Sequence, residues 1–266
     1  MLLVIDVGNT SMVWGVYKQD VLVARWHTST CNNRSANEYG VLINQFFRLH
    51  AVDATSIKGV AISCVVPAVL DALLGMCHTY LQCNPLVISA NIDLGLRILY
   101  KPPESLGADR LVNAYAAMCK YGRPVIVVDL GTATKFEAVS ADAEYLGGAI
   151  APGVQLSLEA LAQKTAKLPR VELTRISTAI ANNTIDAIRS GVIYGTAGQV
   201  DALIRHIKKE MGPPTPRVVA TGGHAHVISS LSTEVQVFDD QLTLDGLHLA
   251  YQRASAADIV RKLGRE

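Results

Sequence analysis

Apolar and polar positions fall along this chain in blocks that read as strands and helices. Leu2 to Ile5 are consecutive apolar residues that run directly into Asp6, Val7, Gly8, Asn9, Thr10 and Ser11. A short unbroken apolar run predicts a strand buried on both faces, and the small polar residues after it predict a tight turn. Met12 to Tyr17 resumes the extended pattern. Lys18, Gln19 and Asp20 make a hairpin tip, and Val21 to His27 returns as a third strand. Between Ser35 and His50, the residues Tyr39, Leu42, Ile43, Phe46, Phe47 and Leu49 recur at helical spacing. Val60 to Ser63 predicts another buried strand. Pro67 suits the first turn of a helix running through Leu70, Leu73 and Leu74, and Leu86 to Ile88 closes the set.

The second half repeats this grammar. Tyr100 to Arg110 reads as a loop, followed by a helix with Leu111, Ala114, Tyr115 and Met118 on one face. Val125 to Val128 then runs into Asp129, Leu130, Gly131, Thr132, Ala133 and Thr134, as the first strand ran into Asp6 and Gly8. Phe136 to Val139 and the segment to Tyr145–Ile150 predict two more strands, and Leu156 to Ala162 a helix. Residues 179–198 form a region of helical character rich in small residues, and a separate helix is predicted over 200–211. Val218 to Thr221 is a strand ending at Gly222 and Gly223, and a last strand and a helix from Asp245 follow. The order β-β-β-α-β-α-β is a ribonuclease-H-like pattern, a mixed sheet flanked by helices. Its echo predicts an α/β chain of two such domains, residues 1–117 and 118–266, facing one another.

Composition narrows the function classes. The chain has 266 residues, 50% of them hydrophobic, with 24 basic and 23 acidic residues for a net charge of +1. Nucleic-acid binding would call for a clustered basic excess, so no nucleic-acid partner is expected. No membrane partner is expected either, because the apolar stretch from Val60 to Met76 is short and holds Pro67 and Asp71. Asp6 interrupts the first apolar run, so the N-terminus reads as a strand and not as a signal peptide. The five cysteines, Cys31, Cys64, Cys77, Cys83 and Cys119, form no C-x-x-C pair and are expected as reduced thiols in a cytoplasmic protein.

The two Asp–Gly turns carry the candidate chemistry. Glycine lets a phosphate approach the backbone, hydroxyls and amides donate to its oxygens, and the carboxylate can hold a hydrated metal ion. The same turns also serve as plain strand ends, where Asp caps amides. The chain has no G-x-x-x-x-G-K-[ST], no G-x-G-x-x-G after a strand and no G-x-S-x-G, which removes three common nucleotide and hydrolase readings. Asp109 and Arg110 fit either a helix start, or a general base beside a guanidinium that grips a carboxylate. His224 and His226 lack a third metal ligand at suitable spacing and are expected to be bland.

Taken in order, these motifs resemble the acetate and sugar kinase, Hsc70 and actin superfamily, and within it the type III pantothenate kinases. The residues that carry the resemblance are Asp6–Thr10, Ser63–Pro67, Gly107–Arg110, Asp129–Thr134, Gly147–Gly153, Asn183–Thr184 with Ser190–Gly191, and Thr221–Gly223. The resemblance implies ATP in the cleft between two ribonuclease-H-like (actin-like ATPase) domains. It also implies transfer of the γ-phosphoryl group to pantothenate, giving 4′-phosphopantothenate, the first step of coenzyme A biosynthesis. Asp109 would be the general base. ATP would lie along Asp6, Val7, Gly8, Asn9, Thr10, Ser11, Met12, Val13 and Thr132, with Asp6 holding its Mg²⁺. Asp129 would hold a monovalent cation, K⁺ or NH₄⁺, although the residue alone suits a second Mg²⁺ equally well. Tyr100, Gly107, Ala108, Asp109, Arg110 and Thr184 would contact the substrate. A homodimer is also implied, with Thr184 reaching the pocket in cis or across the dimer. Lys135 and Glu137 depart from the family pattern, which usually has Thr and Asp there. Two other readings remain open: a kinase of another small hydroxy-acid in the superfamily, and a non-catalytic accessory regulator of transcription.

Overall fold

The computed structural model describes residues 1–263, with side chains described for residues 1–256. Its contacts divide the chain into two units. The first takes in residues 1–96, 101–116 and the chain from Thr243 onward; the second takes in 97–100 and 117–242.

The first unit is built on β1 (Leu2–Val7), β2 (Ser11–Lys18), β3 (Val21–Ser29), α1 (Ala36–Leu49), β4 (Gly59–Cys64), α2 (Pro67–Leu81) and β5 (Leu86–Val87). Its sheet runs β3-β2-β1-β4-β5. β1 to β3 form an antiparallel meander, and β4 pairs with β1 in parallel. One face of the sheet is core: Leu3, Ile5, Val7, Met12 and Trp14 pack with Tyr39, Ile43 and Phe47 of α1 and with Leu73 and Met76 of α2. α1 starts where Ser35 and Glu38 form a reciprocal capping box, and α2 starts on Pro67, whose missing N–H costs nothing there.

α7 (Leu242–Leu263) lies against this sheet, with Leu244 beside Gly15 and Tyr251 beside Gly59, and α3 (Ala108–Tyr121) packs on α7 where Val112 meets Gly246. Tyr17 donates its hydroxyl to Asp245, and Thr243 donates to Asn113 at 2.7 Å. The fit of α7 depends on two missing side chains. A Cβ at Gly59 would stand 2.0 Å from the Tyr251 hydroxyl, and one at Gly246 would stand 2.7 Å from Val112. The sequence reading cuts the chain once, after residue 117, and assigns everything beyond it to the second half. In the structure the helix from Leu242 instead covers the first sheet, and the change of unit falls within α3. The last turn of α3 is tied to the second unit by Lys120 and Tyr121, which donate to Asp239 at 2.5 and 2.7 Å.

The second unit holds β6 (Arg97–Ile98), β7 (Val125–Leu130), β8 (Ala133–Val139), β9 (Glu144–Pro152), α4 (Val154–Lys164), α5 (Thr184–Met211), β10 (Arg217–Thr221), α6 (Ala225–Ile228) and β11 (Val237–Phe238). Its sheet order is β11-β10-β7-β8-β9-β6. Without β6 this is the order of the first sheet, with β7 in the place of β1 and β10 in the place of β4. Ile126, Val128, Leu130 and Phe136 pack on one face with Val192, Ile193, Val200 and Ile204 of α5. The two helical stretches expected over 179–198 and 200–211 are one helix, because that stripe of apolar residues continues across the small residues. β6 is absent from the sequence reading, since two residues give no periodicity to detect. It is held by its register on β9 and by the Arg97–Glu144 ion pair.

None of the five cysteines is joined in a disulfide, and burial pushes the Cys77 thiol up to about 12. Among the described residues, no helix is long and apolar enough to cross a membrane.

Candidate functional site

Asp6 is the penultimate residue of β1, where the strand gives way to the Gly8–Ser11 turn. The turn is closed from inside: the Gly8 N–H donates to the Ser11 carbonyl at 3.0 Å, and the Thr30 hydroxyl donates to the Gly8 carbonyl at 2.7 Å. Gly8 therefore serves the turn itself, and Asn9, Thr10 and Ser11 are the exposed residues at its tip. Val7 and Met12 send their side chains into the core, so only their main chain can face a nucleotide. Val13, partly buried, is the cross-strand neighbour of Asp6. On the other side Asp6 stands in register with Ser63 of β4. Ser63 is fully buried, and among the described residues its hydroxyl has no hydrogen-bond partner. A carboxylate with a partnerless hydroxyl beside it offers oxygen donors of the kind that suit a magnesium ion keeping most of its waters.

Asp129 holds the equivalent position at the end of β7, but its surroundings differ. Its cross-strand neighbour is Lys135 of β8, whose Nζ lies 2.7 Å from Asp129 Oδ2. Both side chains are largely buried, at 16% exposure for Lys135 and 13% for Asp129. Near Oδ1 stands Gly222, which follows β10 with φ +98°; a Cβ there would stand 2.6 Å from Oδ1, so the carboxylate keeps its place only beside a glycine. The residues present do not fit a further monovalent cation at this carboxylate, because a unit positive charge already stands on it. Thr132 is exposed at the tip of the β7–β8 turn.

The other departure, Glu137, is fully buried and accepts a hydrogen bond from Tyr145. Tyr100 packs edge-on against the same Tyr145 at 6.1 Å between ring centroids, next to Gly147, whose φ of +112° favours glycine. The place of Tyr100 is thus fixed by β9, within the second unit.

Asp109 and Arg110 open α3, whose first turn is anchored by the Leu111 N–H on the Gly107 carbonyl at 3.1 Å. The sequence reading ends the loop at Arg110; in the structure the helix has already begun at Ala108. Asp109 folds back over Gly107, where an added Cβ would stand 2.6 Å from Asp109 Oδ1. Glycine lets the carboxylate take this position without shifting aside. Arg110 is 6% exposed, which excludes the reading of a solvated helix-start cation. Ala108 is buried beneath the same turn. Thr184 is the exposed first residue of α5, after the Asn183 cap. Asp6 and Gly107–Arg110 belong to the first unit; Tyr100, Asp129, Thr132 and Thr184 belong to the second.

His224 is half-buried, and burial lowers its pKa against the pull of a hydrogen bond to the Leu130 backbone. Among the described residues no group of three or more His, Cys, Asp or Glu side chains could hold a metal ion. Ser63 and Lys135 stand out in the sequence, one within a motif and one as a departure from a pattern, but their partners do not. The position of Ser63 beside Asp6 and that of Lys135 on Asp129 are both consequences of strand register, which becomes legible only once the pairing is known.

The model of a protein family described as type III pantothenate kinase matches residues 2–206. Among solved structures, a conserved Baf family protein from Campylobacter jejuni is similar over 96% of this chain and 99% of its own, at 18% identity and a TM-score of 0.57. The activator of 2-hydroxyisocaproyl-CoA dehydratase from Clostridium difficile, solved with ADPNP bound, covers 98% of this chain and 97% of its own, at 14% identity and a TM-score of 0.57. Component A of (R)-2-hydroxyglutaryl-CoA dehydratase from Acidaminococcus fermentans covers 96% and 98%, at 15% identity and a TM-score of 0.56. At these identities the structures establish the fold, which is that of the actin-like ATPase and sugar kinase superfamily. With both Asp–Gly turns in place and the family model spanning most of its length, the chain belongs to the type III pantothenate kinase family and is a kinase of coenzyme A biosynthesis.

Proposed function

We propose that the chain transfers the γ-phosphoryl group of ATP to the primary hydroxyl of pantothenate, giving 4′-phosphopantothenate and ADP. The observation that carries this reading is the pairing at the start of α3. A carboxylate held over Gly107 is followed directly by a guanidinium withdrawn from solvent. Pantothenate presents both a hydroxyl to deprotonate and a carboxylate to grip, and these two residues match both needs. Asp109 accepts the hydroxyl proton as the oxygen attacks the γ-phosphorus, and the bond to the β–γ bridging oxygen breaks as ADP leaves. Arg110, with Gly107, Ala108, Tyr100 and Thr184, fixes the acceptor. In phosphoryl transfer most of the acceleration comes from such positioning and from charge neutralisation.

The turn at Asn9, Thr10 and Ser11, with the main chain of Val7, Gly8, Met12 and Val13, lies along the phosphates, and Thr132 contributes a further contact. Asp6, with the Ser63 hydroxyl beside it, would hold the magnesium ion, which supplies charge neutralisation on the phosphate oxygens when bound. A cytoplasmic homodimer belongs to the same proposal.

Purified protein with ATP, Mg²⁺ and pantothenate should release ADP and the phosphorylated product. Asp109→Asn should lower kcat by about 10²–10⁴-fold with its fold intact. Full turnover by that variant would remove Asp109 from the base role. Turnover on another hydroxy-acid and none on pantothenate would move the substrate within the superfamily. Salt-dependent DNA binding without any turnover would favour a regulatory relative.

A further inference from the structure

We propose that Lys135 supplies, from within the chain, the unit of positive charge that a bound potassium or ammonium ion would otherwise bring to Asp129. The two turns provide an internal comparison. β1 and β7 occupy the same place in two sheets of the same order, and each ends in an Asp one residue before its turn. Across the antiparallel ladder, Asp6 faces Val13, whereas Asp129 faces Lys135. Directly opposed residues of such a ladder have Cβ atoms about 5 Å apart, within easy reach of a lysine stem. Nζ accordingly lies 2.7 Å from Oδ2, with both groups largely withdrawn from water. The other carboxylate oxygen, Oδ1, lies beside Gly222.

An alkali cation binding here would have to displace a tethered ammonium that pays no translational entropy to stay. It would also have to find several oxygen ligands at a carboxylate whose Oδ2 is already taken by the ammonium and whose Oδ1 lies where a side chain on residue 222 would stand. The lysine ammonium carries the charge of an ammonium ion and donates the same kind of hydrogen bonds. Asp6 has a neutral cross-strand neighbour and stays suited to the divalent ion of the nucleotide. A chain organised this way needs Mg²⁺ but is indifferent to monovalent cations.

The inference rests on the kinase reading only for the bearing of this charge on ATP, so its main test uses no turnover. The thermal midpoint of the full-length protein is measured in potassium, ammonium and tetramethylammonium chloride at equal ionic strength. The wild-type midpoint should be the same in all three. Lys135→Ala should melt lower in tetramethylammonium and regain several degrees in potassium or ammonium, as binding to the folded state predicts. Lys135→Arg should remain indifferent. In the kinase assay, potassium should leave wild-type turnover unchanged and raise that of Lys135→Ala by about tenfold or more. A wild-type midpoint raised by potassium over tetramethylammonium would overturn the proposal, as would a folded Lys135→Ala that gains nothing from either small cation. If the alanine variant does not fold, the wild-type and arginine arms still decide. A cation-indifferent midpoint in a protein without pantothenate turnover would count against the kinase reading alone.

Discussion

At the scale of single residues, glycines show most directly which positions the fold has constrained. Gly148 lies against β8 so closely that an added Cβ would stand 1.6 Å from the Phe136 carbonyl oxygen and 3.2 Å from the Glu137 nitrogen. No side chain can give way there, since the obstacles are backbone. Gly148→Ala should therefore cost about 3 kcal/mol by displacing the strand that carries Lys135 and Glu137. Gly195, exposed in the middle of α5 with nothing within 4 Å of an added Cβ, predicts the opposite sign. Gly195→Ala should stabilise by about 0.5–1 kcal/mol. Urea unfolding of both variants checks the pair, and midpoints moving in the same direction would refute the reading. Single residues also mark what the sequence could disclose. Asp6 and Asp129 stand out from sequence alone because an apolar run ends on them. Lys135 stands out only as a departure from a pattern. Its contact with Asp129 depends on how many residues the β7–β8 turn consumes, and a change of one would send its side chain to the other face of the sheet.

Among elements, α5 shows how a long helix is fastened. Asp201 lies on its core side, 8% exposed, and accepts from the Ser232 hydroxyl and from both the N–H and the hydroxyl of Thr233, the latter at 3.0 and 2.6 Å. Burial raises its pKa, but these donors outweigh burial and leave it below the ordinary carboxylate value. The folded-state pKa is thus depressed. The stabilisation is fully present above the unfolded value of about 3.9 and is lost as pH falls through the lower folded value. Asp201→Asn should cost about 1–3 kcal/mol near neutral pH. It should also flatten the loss of stability on acidification, as read from urea midpoints across the acid range. A variant that loses stability on acidification as steeply as the wild type would show that the charge is not what matters. The sequence revealed neither this fastening nor the continuity of α5. Gly191, Gly195 and Gly198 weaken helix propensity in mid-helix, and the packing of Val192, Ile193, Val200 and Ile204 on the sheet outweighs it.

On the scale of the whole molecule, the repeat of strand, Asp and glycine was legible because both halves use the same buried strand and turn chemistry. The destination of the last helix was not. An amphipathic stripe says that a helix covers a sheet, not which sheet, and α7 is placed by the gaps that Gly59 and Gly246 leave. Assembly is the level at which the proposed function can still fail after every single-chain test succeeds. Thr184, the substrate contact expected to act in cis or across a dimer, sits on an exposed stretch between Ile180 at 91% exposure and Ile185 at 44%. Scattered exposed apolar residues are ordinary, but two that bracket a proposed contact residue fit a surface covered by a second copy. A stable two-fold interface would bury roughly 1,600 Å² in total. Sedimentation equilibrium should then return twice the chain mass. Ile180→Asp combined with Ile185→Asp should shift the protein toward monomer, with little loss of monomer stability because both side chains face solvent. If Thr184 acts across the interface, the same double variant raises KM for pantothenate more than it lowers kcat. A wild-type monomer with full turnover would end the dimer proposal and leave the site complete within one chain.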